Sequence, residues 1–171
     1  MNIKEEAKAV KLASPKMAGT SEEARNKALL EVVKQLKARQ QEIFEANAMD
    51  LKQAEIDKVA APIIKRLKFD ETKLRDVIAG IEDLVKLEDP LFKQDMHRQL
   101  DEGLTLYRET CPIGVIGVIF EARPDALIQI SSLCIKSGNC VILKGGSETM
   151  NSNRVLFNII YEAVIKSGMP A

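Results

Sequence analysis

The sequence predicts an α/β fold, with amphipathic helices first and the beginning of a parallel sheet after them. Three observations carry this. Charge is concentrated in residues 1–110, which hold 20 basic and 21 acidic residues against 5 and 4 in residues 111–171. Exposed helices carry such charge, whereas buried parallel sheets do not. Apolar residues recur at three-and-four spacing through the first region, and the second region alternates strand and helix, an order that implies parallel strands with right-handed crossovers. At 171 residues, 46% hydrophobic and 29% charged, the chain has the size and composition of an ordinary globular domain.

The net charge is zero, which argues against a nucleic-acid binder driven by phosphate neutralisation. No apolar run approaches the roughly 18 residues of a membrane span. The charged start, Met1 to Glu6, lacks the apolar core of a signal peptide. A cytoplasmic protein is expected, with neither nucleic acid nor membrane as partner.

Taken in order, Thr20 and Glu23 have capping-box spacing. They open a helix whose stripe is Leu29, Val32, Val33, Leu36 and Ile43, with Lys34, Lys37 and Arg39 off it. A further helix is expected to start near Asp50. Another follows Asp70, with Leu74, Val77, Ile78, Ile81, Leu84 and Val85 on one face, and Asp89-Pro90 ends it. Asp101-Glu102-Gly103 followed by Leu104 to Tyr107 predicts a hairpin within 92–110. Ile113 to Phe120 reads as a buried strand. Pro124 suits the first turn of a helix running to about Lys136 and stopped by Ser137-Gly138. Cys140 to Leu143 is a second strand and Lys144 to Ser147 a turn. The last helix has Val155, Leu156, Ile159, Ile160, Ala163 and Val164 on its inner face, and Gly168 and Pro170 end it. The expected division is a helical region over 1–110 and a first βαβα portion over 111–171.

The three cysteines, Cys111, Cys134 and Cys140, include no CxxC pair, and with one histidine in the chain a structural metal site is not expected. Cys134 and Cys140 sit in apolar runs and read as core. His97, on the first arm of the hairpin, lacks any nucleophile-and-carboxylate arrangement around it and reads as a surface residue.

Open parallel sheets bind ligands beyond the carboxyl ends of their strands. Those ends carry Glu121-Ala122-Arg123-Pro124-Asp125 and Lys144-Gly145-Gly146-Ser147-Glu148. Each puts a cation beside a helix N-terminus, where free N–H groups and the helix dipole favour an anion. Two glycines after Lys144 allow close approach to the backbone, so a phosphate-bearing ligand is one reading. The other is a surface lysine before a turn, with Arg123 paired to Glu121 or Asp125.

The run from Pro112 to Asp125, with Ser137-Gly138-Asn139 and Leu143 to Glu148, resembles the gamma-glutamyl phosphate reductases, a branch of the aldehyde dehydrogenase superfamily. The similarity reaches back through Asn47, Asp50, Ala61-Pro62 and Arg66-Leu67 and covers essentially the whole chain. The resemblance implies N-terminal helices plus an incomplete part of a parallel Rossmann-like cofactor-binding sheet. It further implies NADPH-dependent reduction of L-glutamyl 5-phosphate to L-glutamate 5-semialdehyde with release of phosphate, in L-proline biosynthesis. By the same resemblance, Lys144 contacts the adenosine ribose of NADP(H). Phe120, Gly145, Gly146, Ser147 and Glu148 line that cofactor site, and Arg123 with Glu121 stands at the substrate's oxyanion position. Family chains are longer and carry their nucleophilic cysteine in a later region, so no catalytic residue is expected within this chain, which resembles only their N-terminal portion. Implied partners are L-glutamyl 5-phosphate, glutamate 5-kinase and, for the full-length enzyme, a second copy. The competing expectation is an inactive fragment acting as a structural or interaction module. A CoA-acylating aldehyde dehydrogenase is disfavoured by the Glu121 to Asp125 run.

Overall fold

The computed structural model describes residues 2–170. Helices α1 (Ile3–Ala18), α2 (Glu22–Ala38), α3 (Gln40–Ile56), α4 (Ala61–Leu67) and α5 (Glu71–Lys86) come first. Strands β1 (Gln94–Asp101) and β2 (Leu104–Glu109) form an antiparallel hairpin. Strand β3 (Val115–Ile119), helix α6 (Pro124–Lys136), strand β4 (Cys140–Lys144), a 3-10 turn over Ser147–Thr149 and helix α7 (Met150–Lys166) complete the order.

Helix α2 lies at the centre because its apolar stripe meets three other helices, α5, α6 and α7. Ala28, Leu29, Val32 and Leu36 are fully buried there. They pack in one cluster with Ile43, Leu74, Val77, Ile81, Leu127, Ile128, Leu156 and Ile159, at roughly 1.5–3 kcal/mol per large side chain removed from water. No helix among the described residues is long and apolar enough to cross a membrane.

Four local expectations are corrected. The cap of α2 is Ser21, whose hydroxyl accepts from Ala24 N at 3.2 Å, while Thr20 donates its hydroxyl back to Met17 O at 2.7 Å and so closes α1. The stripe from Leu29 to Ile43 belongs to two helices, broken at Arg39. Leu36 and Ile43 are seven residues apart and stay in phase across the break, so periodicity cannot register it. No helix starts near Asp50, which lies inside α3 on its buried face with Ile43, Ala46, Asn47 and Ala54. Finally, the apolar run is not a buried strand: β3 is shorter than the run, Ile113 ahead of it is 83% exposed, and Ile119 at its end is 79% exposed. Parallel strands are buried when the sheet is covered on both faces. Here β3 pairs with β4 alone.

The hairpin stands apart. Its residues are exposed apart from the half-buried Met96 and Thr105, and His97 stacks on Tyr107 with ring centroids 4.9 Å apart. Away from the sheet's loop end, two cations are buried with partners. Arg25 bonds Thr20 O and Asp89 Oδ2. Lys136 Nζ donates to Leu87 O at 2.8 Å and Asn26 Oδ1 at 3.0 Å, which satisfies the C-terminal end of α5.

Candidate functional site

The parallel register pairs Val115 with Cys140 and Ile119 with Lys144, so both strands end at the same level. Phe120 N then donates to Lys144 O at 3.1 Å, extending the pairing one step. Beyond this point the two loops lie side by side, which places the segments after β3 and β4 together.

In the first loop Phe120 is half-buried, Glu121 exposed, Ala122 buried and Arg123 exposed. Arg123 immediately precedes α6, and Pro124 fills the first helical position, where no N–H is needed. Arg123 forms no ion pair or side-chain hydrogen bond among the described residues. Asp125 instead turns toward α5, with Oδ1 3.9 Å from Lys73 Nζ. The pairing of Arg123 with Glu121 or Asp125 is therefore not made.

In the second loop Lys144 and Ser147 are exposed, and Lys144 likewise has no ion-pair partner among the described residues. Gly145 and Gly146 do permit close approach, but the groups that approach belong to this chain. A Cβ on Gly145 would strike the Asn153 amide, and one on Gly146 would strike the Glu148 carboxylate. Glu148 Oε1 accepts from Ala122 N at 2.8 Å and so bridges the two loops. Asn153 Nδ2 donates to Thr149 Oγ1 at 2.7 Å, and the Thr149 hydroxyl donates to Gly146 O at 3.2 Å.

The free N–H groups expected at the N-terminus of α7 are also taken. Asp50 Oδ1 accepts from Asn151 N at 3.1 Å and Oδ2 from Ser152 N at 2.8 Å. Asn151 Nδ2 and Ser152 Oγ add bonds of 2.9 and 2.6 Å to the same carboxylate. The anion favoured by that helix end is thus built into α3. One turn earlier on α3, Asn47 accepts from Phe69 N at 2.8 Å and donates to Leu67 O and Ser152 Oγ. Sequence reading passed over this network as chemistry. The available signal was a carboxylate and an amide on the same helical face as Ile43, Ala46 and Ala54.

The cysteines lie away from the loops. Cys140 opens β4 and Cys111 precedes β3, both at the opposite end of the sheet, a strand length of about 15 Å away. Burial raises the thiol pKa of Cys134 and Cys140, and for Cys134 the nearby Cys140 adds to it. No cluster of metal-binding side chains occurs among the described residues.

No protein-family model matches the chain. Individual relatives do. Gamma-glutamyl phosphate reductase of Acetivibrio thermocellus is 54% identical over 170 residues, 99% of this chain and 39% of that protein. The enzyme of that name from Methanococcoides burtonii is 44% identical over 167 residues, 95% of this chain and 37% of the relative. The crystal structure of gamma-glutamyl phosphate reductase from Thermotoga maritima superposes with a TM-score of 0.93 at 32% identity, covering 97% of this chain and 40% of that one. The Saccharomyces cerevisiae structure gives 0.91 at 40% identity, covering 96% and 43%. The chain is a homologue of the N-terminal part of gamma-glutamyl phosphate reductase. It spans about two fifths of the length of the relatives it matches. An acetylating aldehyde dehydrogenase from Geobacillus thermoglucosidasius, at 14% identity and TM-score 0.66, shares the fold across 95% of this chain and 33% of its own.

Proposed function

We propose that this chain forms the nucleotide-binding start of an enzyme that reduces L-glutamyl 5-phosphate to L-glutamate 5-semialdehyde with NADPH, releasing phosphate, in L-proline biosynthesis in the cytoplasm. The observation that carries the reading is a pair of exposed cations without ion-pair partners among the described residues, Arg123 and Lys144, carried on the two loops that leave β3 and β4 at the same level. Both substrates of such a reaction carry phosphate, and each cation can meet one.

The residues present fit the cofactor, though through side chains more than through glycine backbone. Asn153 and Glu148 crowd the glycines, which leaves the Lys144 ammonium and the Ser147 hydroxyl to reach the adenosine ribose and its 2′-phosphate. Phe120, half-buried against Gly145, walls that loop. NADPH supplies the hydride when bound. Arg123 orients the acyl phosphate and stabilises charge on its oxygens. The thiol that such a reaction requires does not come from Cys134 or Cys140, whose ionisation is opposed by burial. Nor does it come from Cys111, at the far end of the sheet; a segment outside this chain supplies it. The exposed hairpin is the surface offered to a second copy, and glutamate 5-kinase is a partner implied only by the resemblance.

The test uses the full-length reductase that carries this segment. Lys144→Ala should raise KM for NADPH by about tenfold to a hundredfold, the equivalent of about 1.5–3 kcal/mol for a charge-assisted contact, with a smaller effect on glutamyl phosphate. Arg123→Ala should show the reverse bias. Equal effects on both substrates would remove the assignment.

A further inference from the structure

We infer that Glu148 is a positioning residue that fastens the Arg123 loop to the Lys144 loop, so that the acyl-phosphate cation and the cofactor cation are held as one unit. The inference rests on the function proposed above for those two cations. Three observations meet at this carboxylate. The first is the hydrogen bond from Ala122 N to Glu148 Oε1 at 2.8 Å, between residues 26 apart. It is the one side-chain hydrogen bond joining the two loops among the described residues.

The second is the backbone of Ala122. Its φ is +44°, a left-handed conformation that is sterically unfavourable for a residue with a Cβ. Ala122 is also 5% exposed, so its N–H cannot exchange one partner for water without the loop opening. Such a conformation persists only where its surroundings hold it, and Glu148 is the group that does so. Arg123 is the next residue, so the path of the chain at Ala122 decides where the guanidinium leaves the sheet.

The third is Gly146. The Glu148 side chain folds back over it, in space that any Cβ at position 146 would occupy. The second glycine after Lys144 thus serves the carboxylate rather than a ligand. Ser147, between them, is carried on the same short turn.

Amide exchange on this chain and kinetics on the full-length reductase test the role together. In the wild-type chain Ala122 N–H should exchange slowly. Glu148→Ala should speed it by about tenfold, the scale of one net hydrogen bond. Gly146→Ala should do the same from a different position. Glu148→Gln, which keeps an acceptor at Oε1, should restore slow exchange. In the reductase, Glu148→Ala should raise KM for glutamyl phosphate and for NADPH together, and Glu148→Gln should recover most of both losses. If glutamine behaves like alanine in exchange, or if both variants raise KM for NADPH alone, Glu148 is a direct cofactor ligand or a bystander and the inference falls. A reductase inactive toward glutamyl phosphate, with the Ala122 exchange pattern intact, would instead overturn the proposed function and leave the tie standing.

Discussion

Replacing Asp50 by alanine removes four hydrogen bonds from one carboxylate that is 3% exposed. Two of the donors, Asn151 N and Ser152 N, lie in the first turn of α7 and have no partner within their helix. Loss of a helix cap costs about 0.5–2 kcal/mol on its own. Ser152 is fully buried, and stranding its N–H adds about 1–3 kcal/mol. The Asn151 side chain is half-buried and recovers water, so its contribution is small. The expected sum is about 3 kcal/mol. With a urea dependence of about 2 kcal/mol per molar, the unfolding midpoint followed by far-UV circular dichroism should fall by about 1.5 M. Asp50→Asn keeps one acceptor but turns an NH2 toward one of the two backbone donors, and should lose about two-thirds as much. A midpoint shift under about 0.25 M for Asp50→Ala, or an asparagine variant as stable as wild type, would refute the account of α7 as a helix capped from α3.

Other expectations follow from the same physics. Asp70 accepts from Lys73 N at 3.1 Å as the cap of α5, and that bond, followed by Lys68, holds its pKa below the ordinary 3.8. A depressed carboxylate contributes stability above its unfolded pKa and loses it as pH falls through the folded one. Asp70→Ala should therefore cost about 1 kcal/mol at pH 7 and progressively less as pH falls below 3.8, read by urea titrations along that range. For the thiols, Cys111 is exposed and should react first with a disulfide reagent at neutral pH. Cys134, which is buried, should react only on unfolding, and the half-buried Cys140, whose ionisation burial also opposes, should react more slowly than Cys111. Rapid reaction at all three sites would contradict the packing of α6 on β4.

The legible part of the fold was the part written in local rules. The stripe from Leu74 to Val85 and the cap at Asp70 located α5, and Pro124 located the start of α6. Asp101-Glu102-Gly103 located the hairpin turn, where Gly103 takes a φ of +73°. Reading failed where two segments compete for one signal. Thr20 and Ser21 are both good caps, and the choice fell to Ser21 because Thr20 closes the helix before it. A helix start was expected near Asp50, and the residue does mark one, but as the carboxylate partner of a helix whose first turn lies 101 residues further along the chain.

The sequence by itself determined that helices precede a βαβα unit, and that Arg123 and Lys144 follow its two strands, because periodicity, capping and strand ends depend on neighbouring residues. Only the tertiary structure decided which polar groups are already engaged. The α7 N-terminus is filled by Asp50, Gly146 is covered by Glu148, and Ala122 is held from the opposite loop. A buried polar side chain binds whichever backbone the fold brings within about 3 Å, and that backbone is fixed by packing among distant segments rather than by any spacing along the chain.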